Sequence, residues 1–291
     1  MNKNKFYHSI ILSFIKSPIN KSTDHEIQRM QNLTVIKVGG KVIDDEALLK
    51  KVLKDFSTIP GHKILVHGGG NIASRIGEKL GISPMMVEGR RVTDAETLKV
   101  VTMVYGGLVN KNIVAQLQAL NCNAIGMTGA DANAIPATIR PIGTVDYGMV
   151  GDISPGNINI AIIQSFLKNN LIPVFAPITH DGKGQLLNTN ADAIASSLAV
   201  SLAENYNVQL VYCFEKNGVL TDPSDDNSVI PVINSETHKN LVEKGIVSEG
   251  MLPKLENAFK ALNNGVDSVI ICNSGNLNMK NNYGGTKICL N

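Results

Sequence analysis

From Leu33 onward, short apolar runs alternate with longer stretches in which apolar side chains recur every three or four residues. The runs are Leu33–Val38, Lys63–Val66, Ala124–Met127, Ile172–Phe175, Val208–Cys213 and Ser268–Cys272. Most are rich in Val and Ile and bounded by Gly, Asn or Pro, which predicts strands buried on both faces. The helical stretches are Asp44–Phe56, Asn71–Leu80, Asp94–Tyr105, Leu108–Leu120, Asn157–Lys168, Ala191–Glu204, Ser235–Lys244 and Met251–Asn263. Strands alternating with helices predict an α/β fold, a three-layer αβα sandwich around a central, mainly parallel sheet. Two stretches break the rhythm. Pro136–Asp152, with Gly143, Gly148 and Gly151, predicts β-hairpins, and Thr179–Leu187, with its Asp181-Gly182 turn, predicts another. The second is a natural hinge between two lobes. The expected division is an N-terminal extension (1–32), an N-lobe (33–178) and a C-lobe (179–291). Asn276–Gly284 reads as a polar loop.

Composition changes this picture little. The chain of 291 residues is 43% apolar and 18% charged with a net charge of +2, which advertises neither a nucleic-acid nor a membrane partner. There is no Trp for a base-stacking platform. Cys122, Cys213, Cys272 and Cys289 are widely spaced with no C-x-x-C pair, which fits a reducing, cytoplasmic setting and no zinc site. Near the start, Lys3 and Lys5 precede an interrupted apolar patch, Phe6–Ile15, too short to span a bilayer and without a small-residue cleavage site. It reads either as an amphipathic appendage or as untranslated sequence ahead of Met30, the expected start.

Six constellations carry candidate chemistry. Lys37 ends the first predicted strand and is followed by Gly39 and Gly40, placing a cation and bare backbone N–H groups where doubly wound sheets bind ligands. A surface lysine before an ordinary turn would look the same. After the second strand comes His67-Gly68-Gly69-Gly70, three glycines opening a helix, a second anion site. It lacks the ending of a Walker A loop and is not G-x-G-x-x-G. His67 reads as a packed or orienting residue rather than a catalytic base. Gly89-Arg90-Arg91-Val92-Thr93-Asp94 offers an arginine fork for a carboxylate, with Arg90 read as a solvated side chain. Asn188-Thr189-Asn190-Ala191-Asp192 opens an Ala-rich helix. Asn190 and Asp192 suit a cap and a first turn, while Asn188 could bind substrate and Asp192 could hold cations. Glu215-Lys216-Asn217-Gly218-Val219-Leu220, ahead of Thr221-Asp222-Pro223, is either a nucleotide-gripping strand-end loop or a plain turn. In Glu249-Gly250-Met251-Leu252-Pro253-Lys254, a lysine sits in a first helical turn against the helix dipole, as an anion partner would require.

Single motifs are weak, but their order, IKVGG, HGGG, GRRVTD, NTNAD, NGVLTDP and EGM-x-x-K, resembles the acetylglutamate kinases of the amino-acid-kinase superfamily from about Leu33 to the C-terminus. The resemblance implies ATP-dependent phosphorylation of the side-chain carboxylate of N-acetyl- or N-succinyl-L-glutamate, in arginine biosynthesis. It implies a catalytic set of Lys37, Lys254 and Asp192, with the lysines on opposite sides of the phosphoryl group. Gly69, Gly70, Arg91 and Asn188 would bind the acylated amino acid. Gly39, Gly40, Glu215–Leu220, Gly250 and Met251 would hold ATP, with Mg2+ held mainly by the phosphates and no protein metal site. Departures from the family lie at Glu215, where Asp is usual, at Cys213-Phe214 and at Thr128–Asn133, a loop that could flank the acyl group. The short C-terminal segment, Asn273–Asn291, points to an arginine-insensitive homodimer, while a helix-like Thr23–Gln31 with a Thr23/Glu26 capping-box pattern points to the arginine-inhibited hexamers. The expectation is the dimer. An N-acyl-aminoadipate kinase differs by only one methylene of substrate and stays open. A non-catalytic arginine sensor would not need Lys37, Lys254 and Asp192 together. A nicotinamide-dependent oxidoreductase lacks its glycine fingerprint.

Overall fold

The computed structural model describes residues 30–291 except 88, 223, 248–250 and 278–281. The N-terminal extension, with its proposed capping box, and Glu249 and Gly250 lie outside the described residues, and Gln31 already belongs to the first strand. Residues Gln31–Asn291 form one compact unit.

The chain begins β1 (Gln31–Val38), α1 (Gly40–Asp44), α2 (Glu46–Ser57), β2 (His62–His67) and α3 (Gly70–Lys79). A small ribbon follows, β3 (Met86–Val87) and β4 (Arg90–Arg91). Next comes a long helical rod: α4 (Ala95–Val101), a π-helical stretch Thr102–Val109 and α5 (Asn110–Ala119). Then come β5 (Ala124–Met127), β6 (Thr138–Ile139), β7 (Val150–Asp152), α6 (Ile160–Lys168), β8 (Ile172–Phe175), β9 (Ile178–His180), β10 (Leu186–Thr189) and α7 (Ala191–Leu202). The last part holds β11 (Tyr206–Phe214), β12 (Val232–Ile233), α8 (Ser235–Glu243), α9 (Leu252–Asn263), β13 (Ser268–Asn273) and β14 (Thr286–Ile288).

The main sheet has eight strands in the order β12-β14-β13-β11-β1-β2-β8-β5. Its six long strands run parallel, and β14 is antiparallel to β13. Alternation along β1 sends Leu33 and Val35 to one core and Ile36 and Val38 to the other, so helices cover both faces. That is the expected three-layer sandwich. It also explains the near-continuous apolar runs, since each fully buried Val, Leu or Ile contributes about 1.5–3 kcal/mol. A second sheet, β6-β7-β10-β9, contains both expected hairpins, β6 with β7 and β9 with β10.

Three features differ from the sequence expectation. Helices expected at Asp94–Tyr105 and Leu108–Leu120 are one rod running from Ala95 to Ala119, because the π turn absorbs the Gly106-Gly107 interruption instead of breaking there. The helix expected from Asp44 starts at Glu46, since Asp45 caps it by accepting from the Leu48 N–H at 3.0 Å. The β3–β4 ribbon, the edge strand β12 and its neighbour β14 are two or three residues long, too short for periodicity to reveal.

Candidate active site

Lys37 lies one residue before the end of β1, on the face shared by Leu33 and Val35. That face looks onto α7. Asn190 caps α7, its side-chain oxygen accepting from the N–H groups of Asp192 (2.7 Å) and Ala193 (3.1 Å). The cap fixes the first turn and so aims the Asp192 carboxylate. Lys37 Nζ lies 2.8 Å from Asp192 Oδ1, a charge contact whose angles fall short of a hydrogen bond. The Lys37 side chain is only 10% exposed, against 41% for Asp192. Lys254, in the first turn of α9, completes the group. Its Nζ stands 4.0 Å from the centroid of the Phe214 ring, and Lys37 Nζ stands 5.4 Å from the same centroid. Burial, and then the charge on Lys37, lower the Lys254 ammonium below the ordinary lysine range, while Asp192 and Glu215 oppose that shift. A buried and a half-buried cation over one ring, with one carboxylate near them, favour an anion beside them.

The glycine loops lie beside them. The Gly68 N–H donates to the Val38 carbonyl at 3.0 Å, and a Cβ on Gly68 would come 3.3 Å from Gly40 N. The loops after β1 and β2 are thus packed backbone to backbone. A Cβ on Gly69 would land 1.9 Å from Cε1 of Tyr105, so only glycine admits that ring. Gly39 and Gly69 are the N-cap positions of α1 and α3, and no side chain caps either helix, so first-turn backbone N–H groups have no side-chain acceptor. His67, fully buried, is pulled down to about 4 by burial and is neutral at physiological pH. Of the packed or orienting roles the sequence suggested, its burial fits the packed one.

Arg91, on β4, donates to Ser74 Oγ at 2.8 Å, and its charge favours the ionised form of the nearby Tyr105 hydroxyl, whose burial has the larger, opposite effect. Asn188, on β10, donates to Thr93 Oγ1 at 2.9 Å. Arg140 is clamped on Asp152 through Nε (3.0 Å) and Nη2 (2.6 Å) and lies 5.5 Å over the Tyr147 ring. Arg91, Tyr105, Asn188, Arg140 and Tyr147, with Lys37, Gly40, Gly69 and Asp192, line one cleft of about 940 Å3, the size of a small-molecule site. Its lining carries the cations Lys37, Arg90, Arg91, Arg140 and Lys260, with Asp192 as the carboxylate, so the cleft suits anionic ligands.

The residues marked for the nucleotide divide. Gly40 lines the cleft, Gly39 adjoins it with its would-be Cβ 3.9 Å from Lys37 Nζ, and Glu215 pairs with Lys41 at 2.5 Å. Lys216 reaches Asp226 Oδ1 at 2.8 Å, and Asn217 Nδ2 donates to the Asp226 carbonyl at 2.8 Å. Gly218 packs against Thr286, whose Oγ1 accepts from the Val219 N–H at 2.8 Å. Val219 and Leu220 are buried, and Met251, the residue before α9, packs on the core. Among the described residues, Lys216–Leu220 and Met251 do not line the cleft. Nor does the Thr128–Asn133 loop, which folds on itself with Asp131 Oδ2 accepting from the Thr128 N–H at 2.6 Å. Sequence reasoning passed over Tyr105, Arg140, Tyr147 and the bridging role of Phe214. The Gly106-Gly107 pair was the one local hint of Tyr105. The others depend on which elements adjoin.

A three-layer, mainly parallel sheet with paired lysines, one aspartate and two glycine loops at its strand ends defines a class, and the chain belongs to the amino acid kinase family, which it matches over residues 32–273. Within that family it falls with the acetylglutamate kinases. One from Phocaeicola vulgatus is 57% identical over 241 residues, covering 83% of this chain and 93% of that protein. Another, from Cytophaga hutchinsonii, is 52% identical over 266 residues, covering 90% of this chain and 100% of its own. The structure of a carbamate kinase from Giardia lamblia bound to AMP-PNP aligns with a TM-score of 0.64, covering 90% of this chain and 99% of the other. At 14% identity that match speaks to the fold alone.

Proposed function

We infer that this chain is an acetylglutamate kinase, transferring the γ-phosphoryl group of ATP to the side-chain carboxylate of N-acetyl-L-glutamate in arginine biosynthesis. The observation that carries the site assignment is the approach of Lys37 and Lys254 to one Phe214 ring, with Lys37 paired to Asp192 and set against Gly39. A carboxylate oxygen of the substrate attacks the γ-phosphorus in line, and the bond from that phosphorus to the β-phosphate bridging oxygen breaks. ADP leaves with the electron pair. No base is needed, so catalysis is positioning and charge stabilisation. Lys37 and Lys254 face the equatorial oxygens, Asp192 holds both lysines in place, and Gly39, Gly40, Gly69 and Gly70 supply backbone N–H groups. Arg91 and Asn188 hold the acylated amino acid. ATP is expected on Glu215–Leu220 and the Ile246–Met251 segment, of which Lys216–Leu220 and Met251 lie outside the described cleft lining. Asp192 is the carboxylate among the described cleft residues and is engaged by Lys37, a donor set that suits a Mg2+ held mainly by the ATP phosphates.

The same reading takes residues 33–178 as the lobe for the acylamino acid and for dimerisation, and 179–291 as the lobe for ATP. It takes the protein as an arginine-insensitive homodimer in the cytoplasm. ATP supply and four free cysteines support that location, and among the described residues no helix is long and apolar enough to cross a membrane. The test is ADP release with hydroxylamine trapping of the acyl phosphate, using N-acetylglutamate, N-succinylglutamate and N-acetyl-aminoadipate, each with and without arginine. Turnover is expected on N-acetylglutamate, undiminished by arginine. Trapped product only from the aminoadipate compound would overturn the substrate assignment.

A further inference from the structure

Behind the glycine loop lies a buried polar chain that takes no part in the mechanism above. Asn110 and His67 are both fully buried. One amide atom of Asn110 lies 2.9 Å from the Val174 carbonyl and 3.1 Å from His67 Nε2. A carbonyl can only accept, so that atom is the amide nitrogen, Nδ2. Its second hydrogen then points at His67 Nε2, which must be the unprotonated, accepting nitrogen. The proton of the neutral imidazole therefore sits on Nδ1, which donates to the Gly68 carbonyl at 2.8 Å. The other end of the amide is satisfied too, since Asn110 Oδ1 accepts from Lys111 Nζ at 3.1 Å. A Cβ on Gly126 would come within 2.0 Å of that oxygen, so glycine there makes room for it.

Asn110 reaches this place because of the π turn. Its N–H donates to the carbonyl of Tyr105, five residues back. In an α-helix, residues five apart diverge by about 140° around the axis. In the π turn they lie one above the other. Tyr105 thus packs on Gly69 while Asn110 holds His67, and both act on the same loop from one rod.

Taking the kinase reading as given, we propose that Asn110 is a positioning residue for phosphoryl transfer: carried inward by the π turn, it sets the His67 tautomer, which holds the Gly68 carbonyl and keeps the following N–H groups aimed at the transferring phosphoryl group. Neither Asn110 nor His67 touches substrate. A loop released from this grip misplaces donors by fractions of an ångström, which affects the transition state more than ground-state binding.

Two measurements test this. The first needs no substrate. Histidine 15N chemical shifts of the wild-type protein, with the His67 signal assigned by its loss in His67→Asn, are expected to report the neutral Nδ1–H form throughout pH 5.5–8. An Nε2–H tautomer would overturn the proposal. The second compares His67→Leu, which keeps bulk and loses the donor, with His67→Asn, whose amide N–H replaces Nδ1–H. We expect His67→Leu and Asn110→Leu to lower kcat by about 10²-fold with KM for N-acetylglutamate changed less than about threefold, and His67→Asn to recover most of that loss. Equal kcat in the Leu and Asn variants, or a loss confined to KM, would sink it. Should the Leu variants not fold, the tautomer and His67→Asn against wild type still decide. Wild-type protein inert toward N-acetylglutamate would overturn the kinase reading, while the tautomer result would stand.

Discussion

An ammonium group only 10% exposed needs compensation, and Lys37 finds it in Asp192 at 2.8 Å and in the Phe214 ring. Lys254 shares the ring, feels the Asp192 charge, and is held below the ordinary lysine range chiefly by burial. The second cation raises the cost of the first, so the pair is most comfortable with an anion between them. Lys37→Ala should therefore lower kcat by about 10²–10³ at saturating substrates, and Lys37→Arg should not restore it, because a planar fork cannot occupy a point-charge site of this depth. Steady-state kinetics of both variants check this, and near-normal turnover of Lys37→Ala removes the role. His67 allows a prediction about stability. Its pKa of about 4 in the folded chain lies below the ordinary 6.5. The unfolded chain takes up a proton that the folded chain refuses, so stability falls as pH drops below about 6.5 and this loss levels off near 4. Between pH 7 and pH 5 the contribution is about 2 kcal/mol. In His67→Asn, the difference between urea unfolding free energies at those two pH values should shrink by that amount. An unchanged difference would mean that the imidazole is not held neutral.

At the scale of elements, the strands were legible because both sheet faces are covered. Ala124–Met127 and Ile172–Phe175 match expectation to the residue, and Leu33–Val38 extends only to Gln31. What periodicity cannot see is an element defined by its partner. The Arg90–Arg91 strand exists because Met86 pairs with Arg91, and the π turn exists because Gly106-Gly107 is absorbed into a packed rod. The site divides the same way. Lys37, Asp192 and Lys254 were readable from motif order and from a lysine placed against a helix dipole. Arg140 was not, since its meaning comes from Asp152 and Tyr147 across a hairpin. The α7 cap joins element to chemistry. Asn190→Ala removes the acceptor for two N–H groups and should cost about 1 kcal/mol of stability, within a range of about 0.5–2. Because Asp192 sits in that first turn, kcat should fall further than the stability loss explains. Thermal unfolding beside kinetics separates the two, and a variant that loses stability alone would detach the cap from the site.

For the whole molecule, the same π turn that faces Tyr105 and Asn110 inward presents Met103 and Leu108 outward, 56% and 55% exposed. These two are also five residues apart, so they form one apolar spot on the far side of the rod. Apolar side chains exposed next to each other on a buried-core helix are the kind of surface a second copy covers. We predict that the homodimer proposed above buries this spot, which would fix the rod on both sides, by the partner outside and by the glycine loop inside. Light scattering coupled to gel filtration should give twice the 31.2 kDa chain mass. The double variant Met103→Glu/Leu108→Glu should give the single mass, since charges facing one another across a twofold axis repel and must be desolvated. Neither Met103 nor Leu108 lines the described cleft, so substrate KM should hold in the monomer. Turnover should fall, because a rod free on its outer side grips Gly69 and His67 less firmly. A wild-type monomer, or a double variant that remains dimeric, would put the interface elsewhere and leave the outward apolar spot without a role.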